Sequence, residues 1–377
     1  MKIVIIGGGA AGLFAATQAR KQDAMAEITL VCGEKFLPYY RTRICEVFSG
    51  LEPQKLLVHD ENWFTDQKIT VIKDTVTKLL DSPKSILLSG GKKIEYDRLI
   101  LAIGANGNRP NVEGADQKHV LALRTLDDIA YIQTLGGPIA IVGGGLLGLE
   151  AAWHLALAKK QVTIVEFSAW LLKRQLDQEA SLFFQDIVKA AGIEVIVDGA
   201  SDKIETDRLI LKDGRSIQAN TVIFAAGIVP TIDLAKAYGL ATNRAIVVNE
   251  YMETSQPDIY ACGDCAELDG KTAGLWTVSM AQGIVAGQCA AGNRVAYTPQ
   301  EPPYLMNAMG TKIWSGGSIT SEDTYCIKDD QAKILKKLFF AEGKLQGAIL
   351  IGDVGAQTKL KKAIEEQLLK EEAIQII

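Results

Sequence analysis

The hydrophobic residues of this chain gather in short runs, and two of these runs continue into nearly the same sequence. Residues 3–16 read IVIIGGGAAGLFAA, and residues 139–152 read IAIVGGGLLGLEAA. In both segments an unbroken apolar run predicts a buried strand, and the alanine- and leucine-rich residues after the glycines predict a helix. Another apolar run follows each helix, at residues 28–32 and 162–165. This order predicts the start of a doubly wound α/β domain, twice in one chain.

The pattern beyond these segments also repeats. Residues 68–105 and 204–217 alternate apolar and polar positions between glycine-containing turns, which predicts short strands in a meander. Each half then closes with an apolar strand that ends in Ala-x-Gly. The predicted fold class is α/β, with two Rossmann-like dinucleotide-binding domains and a small α+β C-terminal domain. The predicted boundaries are 1–107 with 225–300 for the first domain, 108–224 for the second and 301–377 for the third.

Each of the two apolar runs leads into a G-x-G-x-x-G loop. The first glycine permits a tight turn, the second lets the backbone approach a pyrophosphate, and the third lets helix and strand pack closely. An acidic residue roughly 20 residues later accepts hydrogen bonds from ribose hydroxyls, and Glu34 and Glu166 occupy these positions. Two such loops predict two bound dinucleotides and electron transfer between them. The glycines are Gly7, Gly9 and Gly12 in the first loop, and Gly143, Gly145 and Gly148 in the second.

Composition narrows the class of protein. The 377 residues and 48% hydrophobic content suffice for two or three domains with sizeable cores. A formal net charge of −5 gives no overall basic surface, so no nucleic-acid partner is expected. The chain has no apolar run long enough to span a bilayer, and its first residues already form the first predicted strand. We therefore expect no signal peptide, no membrane association and a cytoplasmic location.

The six cysteines are scattered through a chain that is too large to need disulfide staples. Cys262 and Cys265 form a single C-x-x-C, which lacks the second ligand pair of a zinc site, so no metal is predicted. A redox role for this pair is left open.

The order of the motifs resembles the glutathione-reductase-like flavoproteins with two dinucleotide-binding domains. The resemblance includes both loops, both Ala-x-Gly strands and PDIYACGD at residues 257–264, and it covers residues 1–300 well. LPYYR at residues 37–41, RQLD at 174–177 and LWTVSMAQG at 275–283 are most similar to the NADH:rubredoxin oxidoreductase branch. Thr42 departs from that pattern, because members commonly have Pro at this position.

The resemblance implies non-covalent FAD in the first domain and NADH in the second. It implies that Asp264 binds the ribityl or phosphate region of FAD, and that Trp276 and Thr277 open a helix whose N-terminus faces the flavin. The residues implied for FAD are Gly7, Gly9, Ala10, Ala11, Gly12, Glu34, Lys35, Arg41, Val76, Ala102, Gly104, Asp264, Trp276 and Thr277. Those implied for NADH are Gly143, Gly145, Leu146, Leu147, Gly148, Glu166, Ala226 and Gly227.

The choice of nicotinamide cofactor depends on Glu166. A carboxylate there accepts a hydrogen bond from the 2′-hydroxyl of NADH and repels the 2′-phosphate of NADPH. The next three residues, Phe167 to Ala169, include no arginine that would neutralise a phosphate, although Lys173 and Arg174 follow within reach. Glu150 matches a family position near the nicotinamide, where it either orients the ring or only packs; both interpretations stay open.

The resemblance implies hydride transfer from NADH to FAD, followed by single-electron transfer to a small iron protein. Rubredoxin is the acceptor that the resemblance favours. The segment RTRICEVFSG holds only Cys45, so it lacks the C-x4-C of the disulfide reductases. Lysines of the last segment either complement an acidic partner or form a solvated face; these are Lys333, Lys336, Lys337, Lys359, Lys361 and Lys362.

Three alternatives remain at this stage. The first is an NADH oxidase or peroxidase that uses Cys45 as a single redox cysteine. The second is the ferredoxin reductase component of a dioxygenase or nitrite system. The third is a non-enzymatic sensor that binds FAD and NADH without fast turnover.

Overall fold

The computed structural model describes residues 1–299 and 301–377, and it confirms the predicted α/β class. The strands are β1 (Lys2–Ile6), β2 (Glu27–Cys32), β3 (Ile69–Lys73), β4 (Val76–Asp81), β5 (Lys84–Leu88), β6 (Lys93–Glu95), β7 (Arg98–Leu101), β8 (Ala105–Gly107), β9 (Val120–Ala122), β10 (Ile139–Val142), β11 (Val162–Val165), β12 (Glu194–Ile196), β13 (Ser201–Ile204), β14 (Arg208–Leu211), β15 (Ser216–Gln218), β16 (Thr221–Phe224), β17 (Ile228–Pro230), β18 (Ile246–Val247), β19 (Ile259–Ala261), β20 (Ala266–Leu268), β21 (Lys271–Thr272), β22 (Tyr304–Ala308), β23 (Thr311–Gly317), β24 (Thr324–Asp329), β25 (Ile334–Ala341) and β26 (Lys344–Ile351).

The helices alternate with these strands. The α-helices are α1 (Ala10–Gln22), α2 (Glu61–Asp66), α3 (Leu126–Thr134), α4 (Leu146–Leu157), α5 (Gln178–Ala190), α6 (Asp233–Ala237), α7 (Trp276–Ala290), α8 (Gln357–Glu365) and α9 (Lys370–Ala373). The 3₁₀ helices are Arg41–Ser49, Pro53–Leu56, Gly263–Cys265 and Ile374–Ile376.

The first of two compact units comprises Met1–Ile44, Glu52–Asn106 and the described residues from Ile228 to 299. Its main sheet has the order β19-β7-β1-β2-β3, and all four pairings are parallel. Strands in such a sheet are buried on both faces, which explains why β1 and β7 are nearly continuous apolar runs. The predicted meander is the antiparallel sheet β4-β5-β6.

Helices α1 and α7 pack closely in this unit because small residues line their contact. A Cβ atom on Gly283 would lie 2.2 Å from the carbonyl oxygen of Ala11, and one on Gly287 would lie 2.3 Å from that of Ala15. Only glycine leaves room for these backbones to approach so closely. The contact therefore fixes α7 beside the helix that follows the first glycine loop.

The second unit comprises Cys45–Leu51, Gly107–Gly227 and Glu301–Ile377. Its parallel sheet has the order β12-β11-β10-β16-β9, with β10 at the centre as β1 is in the first unit. The strands β13, β14 and β15 form an antiparallel sheet beside it. The strand–helix–strand repeat predicted from the sequence is thus present in both units.

The C-terminal segment forms an antiparallel sheet of order β22-β23-β26-β25-β24, and α8 packs on it. Lys337 is buried on β25, and its Nζ lies 2.6 Å from Asp177 Oδ2 and 2.5 Å from Glu179 Oε2. Burial alone would lower the pKa of Lys337, but the two carboxylates raise it above its ordinary value. This ion pair links the C-terminal sheet to the start of α5. The three predicted domain boundaries stay a prediction.

Candidate functional site

The first glycine loop joins β1 to α1. Gly7 has a φ of +118°, and a Cβ atom there would lie 2.0 Å from the carbonyl oxygen of Ala102. A Cβ atom on Gly12 would lie 1.8 Å from the carbonyl oxygen of Gly7. Gly9 differs, because a Cβ atom there would meet nothing within 4 Å. Gly7, Gly12 and Ala102 are therefore in close contact, while the backbone at Gly9 borders open space.

Glu34 follows β2, and its carboxylate is bound by two side chains. Arg41 lies with Nη2 2.5 Å from Oε1 of Glu34, and the Tyr39 hydroxyl donates to Oε2 at 2.6 Å. The guanidinium of Arg41 also lies 4.8 Å from the centre of the Tyr39 ring. Tyr39 was not among the predicted site residues, although it lies within the quoted LPYYR segment. Its hydroxyl and Arg41 together fix the orientation of the first acidic residue.

Asp264 lies beside the start of α7. Its Oδ1 accepts hydrogen bonds from the backbone N–H of Gly274 at 3.1 Å and from the Ser279 hydroxyl at 3.2 Å. Trp276 opens α7, and its ring lies 5.8 Å from that of Tyr40. A Cβ atom on Gly263 would lie 2.8 Å from Cβ of Ala11, so this segment also borders α1.

The other predicted FAD residues surround these elements. Ala10 and Ala11 are buried in the first turn of α1, and Thr277 follows Trp276 in α7. Gly104 has a φ of +68°, and its carbonyl accepts a hydrogen bond from the backbone N–H of Thr231. Lys35 lies over the ring of Phe36, and Val76 opens β4 at the edge of the first hydrophobic core.

The second glycine loop repeats the backbone geometry of the first. Gly143 has a φ of +123°, and a Cβ atom there would lie 2.5 Å from the carbonyl oxygen of Ala225. A Cβ atom on Gly148 would lie 1.9 Å from the carbonyl oxygen of Gly143, and one on Gly145 would meet nothing within 4 Å. Leu146 opens α4 directly after this loop, and Leu147 follows it.

Glu166 follows β11 and is bound by backbone groups. Its Oε2 accepts the N–H of Gly144 at 2.6 Å, and its Oε1 accepts the N–H of Ser168 at 2.7 Å. Phe167, between Glu166 and Ser168, is 75% exposed. An exposed phenyl ring on a turn fixed by hydrogen bonds offers a flat surface for a nucleotide base. In the sequence, Phe167 stood out only because it is not an arginine that could neutralise a 2′-phosphate.

Ala226 and Gly227 follow β16 within the second unit. The carbonyl oxygen of Ala226 accepts a hydrogen bond from Nδ2 of Asn108 at 3.1 Å. The carbonyl oxygen of Gly227 accepts one from the backbone N–H of Asn108 at 2.9 Å. These bonds fix the second Ala-x-Gly turn, and Gly227 adopts a φ of +91° there.

Glu150 lies on the second turn of α4 and is partly buried. Burial, and after it the negative charge of Glu46, raises the pKa of Glu150 to about 7. Cys45 is buried nearby, and burial together with Glu150 and Glu46 raises the pKa of its thiol well above the ordinary value. Cys45 therefore holds its proton at neutral pH, where a redox cysteine has to be a thiolate.

The C-x-x-C is also protonated at neutral pH. Cys262 and Cys265 are fully buried, and Cys265 Sγ donates to the carbonyl oxygens of Leu101 and Cys262. Burial raises the pKa of Cys265 to about 11, and it raises that of Cys262 well above its ordinary value. Within residues 1–299 and 301–377, no group of three or more metal-ligating side chains comes together, and no helix is long and apolar enough to cross a membrane.

Comparison with known proteins assigns the chain to a family. Residues 1–283 match the family described as "Pyridine nucleotide-disulphide oxidoreductase". The chain belongs to this family. Residues 302–368 match the "Rubredoxin NAD+ reductase C-terminal domain". The predicted family is confirmed, and so are its cofactors, FAD and NADH.

Several known proteins resemble the chain over its length. It is 34% identical to the NADH-rubredoxin oxidoreductase of Clostridium acetobutylicum, over 97% of this chain and 94% of that protein. The solved structure of that clostridial enzyme superposes on this chain with a TM-score of 0.81 at 32% identity. The match covers 98% of this chain and 96% of the clostridial chain. A ferredoxin reductase from Rhodopseudomonas palustris superposes with a TM-score of 0.88 at 26% identity, over 99% and 96% of the two chains.

Another relative is longer. The assimilatory nitrate reductase electron transfer subunit of Bacillus subtilis is 31% identical over all of this chain. The chain spans half of that protein's length.

The residues of both loops fit a dinucleotide. Gly9 and Gly145 cap α1 and α4 without a side-chain hydrogen bond, and neither first turn contains an acidic residue that would compete with a phosphate. A methyl group on either glycine would extend into the open space at the helix N-terminus. Anions bind well at such uncapped N-termini, because the backbone N–H groups and the helix dipole both point at them.

Proposed function

We propose that this protein is an FAD-dependent reductase that oxidises NADH and passes electrons singly to rubredoxin or a similar small iron protein. The observation that carries the proposal is the pair of open glycine loops in a chain whose C-terminal segment matches the rubredoxin NAD+ reductase domain. The similarity to the clostridial enzyme over 94% of its length supports it. Rubredoxin would be the acceptor in the cytoplasm, where NADH is supplied.

In this proposal the first unit holds FAD. Gly9 and the start of α1 bind its pyrophosphate, Glu34 binds its ribose, and Asp264 and the N-terminus of α7 border the rest. The uncapped N–H groups of α7 favour negative charge at that point. FAD supplies the chemistry that these residues lack, because it accepts a hydride and releases electrons one at a time.

The second unit holds NADH through Gly145, the start of α4 and Glu166. The Glu166 carboxylate has lone pairs left for ribose hydroxyls after accepting two backbone N–H groups. Its negative charge, fixed at the loop, repels the 2′-phosphate of NADPH. Phe167 supports this assignment, since its exposed ring lies beside the ribose-binding carboxylate.

Only some of the six lysines of the C-terminal segment are available to an acidic partner. Lys337 is buried, Lys336 Nζ lies 2.8 Å from Asp353, and Lys361 and Lys362 pair with acidic residues one turn later. Their charges are compensated within the protein. Of the six lysines, Lys333 and Lys359 are exposed and have no ion pair in the described part of the chain, so they are the most available to an acidic partner.

The test is an anaerobic titration with NADH, followed by acceptor assays. We expect about one NADH per FAD to bleach the flavin absorption, because the buried thiols do not take part. Rubredoxin should then be reduced at least about tenfold faster than ferredoxin, and NADH should be preferred over NADPH. The opposite acceptor preference would support a ferredoxin reductase, which the likeness to the Rhodopseudomonas enzyme favours. Negligible turnover with every acceptor would point to a sensor.

A further inference from the structure

Three neighbouring strands of the first unit end side by side. The strands β1, β2 and β3 are adjacent and parallel, so their carboxyl ends lie at the same edge of the sheet. The first glycine loop follows β1, Glu34 follows β2, and Asp74 and Thr75 follow β3. In open parallel sheets, ligands bind outside the carboxyl ends of the strands.

The order of these strands matches the order of chemical groups in the adenosine half of FAD. The pyrophosphate of FAD carries a ribose, and the ribose carries the adenine. With the pyrophosphate at the loop after β1 and the ribose at Glu34 after β2, the next group of the cofactor meets the next strand of the sheet. Neighbouring strands lie about 4.7–4.9 Å apart, a step that the bond from a ribose to its base can span. The residues after β3 are therefore expected to border the adenine.

The segment after β3 is bonded to the residues that precede Glu34. The backbone N–H of Asp74 donates to the carbonyl oxygen of Cys32 at 3.0 Å. A Cβ atom on Gly33 would lie 3.9 Å from Oγ1 of Thr75. Because Glu34 directly follows Gly33, the Thr75 hydroxyl lies beside the segment that carries the ribose-binding carboxylate.

Asp74 and Ser89 hold Thr75 by its backbone. The Oδ1 atom of Asp74 accepts the N–H of Thr75 at 2.7 Å and the Ser89 hydroxyl at 2.5 Å. The carbonyl oxygen of Thr75 accepts the backbone N–H of Ser89 at 2.8 Å. The bond from the Ser89 hydroxyl, and after it the bond from the Thr75 N–H, lower the pKa of Asp74. The carboxylate is therefore ionised at neutral pH, and it fixes the backbone from which the Thr75 side chain extends.

The hydroxyl group of Thr75 remains available to a ligand. Thr75 is exposed, and among the residues that the structure describes its hydroxyl makes no hydrogen bond. Both backbone polar groups of Thr75 are already bonded, so the hydroxyl is the polar group left. A threonine hydroxyl donates one hydrogen bond and accepts others, and the edge of adenine carries both donors and acceptors. Val76, the next residue, adds a half-buried apolar surface.

The second unit has the same backbone arrangement without this hydroxyl. Its strand β12 neighbours β11 as β3 neighbours β2, and the N–H of Gly199 donates to the carbonyl oxygen of Glu166 at 2.8 Å. The residues after β12 are Val197, Asp198 and Gly199, and none of them carries a hydroxyl group. A change at Thr75 should therefore affect the binding of FAD and leave that of NADH unchanged.

We propose that Thr75 binds the adenine of FAD through its hydroxyl group and that Asp74, together with Ser89, is the positioning residue for this contact. This inference rests on the proposed function, which assigns FAD to the first unit. A contact at the adenine adds affinity and does not touch the flavin ring. The affinity for FAD should therefore depend on Thr75, and the chemistry of the flavin should not.

The test is equilibrium binding of FAD and of ADP to the full-length protein from which FAD has been removed. ADP is the probe for the adenosine half, because it carries no flavin. Thr75→Val keeps the shape of the side chain but lacks the hydroxyl, so we expect the affinities for FAD and ADP to fall by the same factor, roughly 3- to 10-fold. An unchanged affinity for FAD, or a loss for FAD that ADP does not share, overturns the proposal.

Thr77→Val is the matched control. Thr77 is also exposed, but its hydroxyl already donates to the carbonyl oxygen of Leu87 at 3.2 Å. We expect this variant to bind FAD and ADP as the wild type does. A loss equal to that of Thr75→Val would show that any threonine lost from this segment has the same effect, and it would overturn the assignment of Thr75.

Variants of Asp74 separate positioning from a general effect on folding. Asp74→Ala removes the oxygen that holds the Thr75 N–H, so FAD and ADP should bind more weakly, and adding Thr75→Val should cost little more, because both changes remove one contact. Asp74→Asn keeps an oxygen that accepts this N–H and should recover most of the affinity. The absorption spectrum and reduction potential of bound FAD should match the wild type in every variant. Additive losses in the double variant, or a shifted flavin potential, overturn the role of Asp74.

Neither NADH nor an acceptor takes part in these binding experiments. Failure to reduce rubredoxin would reject the proposed function and leave the affinities for FAD and ADP readable. An unchanged affinity in Thr75→Val would reject Thr75 as an adenine-binding residue and leave the assignment as a reductase in place.

Discussion

The two glycine loops have the same backbone geometry but hold their acidic residues by different means. A Cβ atom on Gly12 or Gly148 would lie 1.8 or 1.9 Å from the carbonyl oxygen of the first glycine in its own loop. Glu34 is held by the side chains of Tyr39 and Arg41, whereas Glu166 is held by the backbone N–H groups of Gly144 and Ser168. A single substitution can remove one of the two bonds that hold Glu34, whereas no side-chain substitution removes the backbone N–H groups that hold Glu166.

The helices after the two loops also differ at one matched position. Two residues after the third glycine, α1 carries Phe14 and α4 carries Glu150. A phenyl ring packs there without electrostatic cost, whereas a buried carboxyl group has a raised pKa. The helix after the second loop therefore carries an ionisable group at a position where the helix after the first loop carries an apolar ring.

The largest effects should come from the third glycines. Gly12→Ala and Gly148→Ala each force a methyl group against a backbone oxygen, and overpacking of this kind costs about 1–3 kcal/mol or more. We expect Gly12→Ala to purify with little FAD, and Gly148→Ala to keep FAD but lose NADH binding. Flavin absorbance and equilibrium NADH binding measure the two losses. Gly136→Ala, at an exposed position with open space, is the matched control. Loss of FAD from both variants equally would contradict the separate assignment of the loops.

Glu150→Gln should change stability in a pH-dependent way. The folded pKa of about 7 lies above the ordinary 4.5, so ionisation penalises the folded state increasingly between pH 4.5 and 7. Glutamine cannot ionise, so the variant does not carry this penalty. The upper limit of the penalty is about 3 kcal/mol, because one pKa unit corresponds to about 1.4 kcal/mol. We expect equal Tm values for the variant and the wild type below pH 4.5 and a higher Tm for the variant at pH 8. A Tm difference that stays constant across this range would refute the raised pKa.

Replacing the backbone-held carboxylate should weaken NADH binding. Glu166→Ala removes an ionised acceptor from ribose, and hydrogen bonds to charged groups contribute about 1.5–3 kcal/mol, which is roughly 10- to 100-fold in affinity. Binding of NADPH should suffer less, because the repulsion of its phosphate disappears as well. Kd values for both nucleotides test this. An equal loss for NADH and NADPH would mean that Glu166 does not select between them.

A smaller effect is expected at the side-chain-held carboxylate. Tyr39→Phe removes one hydrogen bond to Glu34 and keeps the ring under Arg41, so we expect a loss of about 0.5–1.5 kcal/mol in FAD affinity. The Kd of FAD for the apoprotein measures it. Glu166 has no counterpart to this bond, so NADH affinity should not change. A change in NADH affinity as large as that for FAD would show that the two sites are not independent.

The smallest effect should follow Cys45→Ser. The thiol is buried and protonated, so its loss should leave acceptor reduction within about twofold of the wild type. Steady-state turnover at equal FAD content measures this. Complete loss of turnover with normal FAD content would instead support the NADH oxidase or peroxidase that uses Cys45 as its redox cysteine.

The sequence predicts the features that depend on local spacing. The glycine loops, Glu34, Glu166 and the two Ala-x-Gly turns are recognisable because each lies within a short motif, and the structure places each glycine loop against its closing strand. Contacts between distant segments were not predictable. Ser49 and His154 are 105 residues apart, and Lys337 and Asp177 are 160 residues apart, so only the folded backbone brings them together.

The lysines of the last segment show the same limit. The sequence left open whether they complement an acidic partner or form a solvated face, and both interpretations require exposed side chains. Lys337, however, lies on the buried side of β25, and Lys336 is paired with Asp353. Side chains alternate between the two faces of a strand, and the sequence of β25 does not reveal which face meets α5.

The close contact between α1 and α7 bears on the order in which the protein is made. The strand β19 and the glycines of α7 come from residues 259–287, yet they complete the sheet and the helix pair that begin with β1 and α1. On the ribosome, the first unit therefore stays incomplete until about three quarters of the chain has been synthesised, while the parallel sheet of the second unit has all its strands by residue 224. We therefore expect the nascent N-terminal segment, whose apolar strands stay exposed meanwhile, to depend on chaperone protection during synthesis.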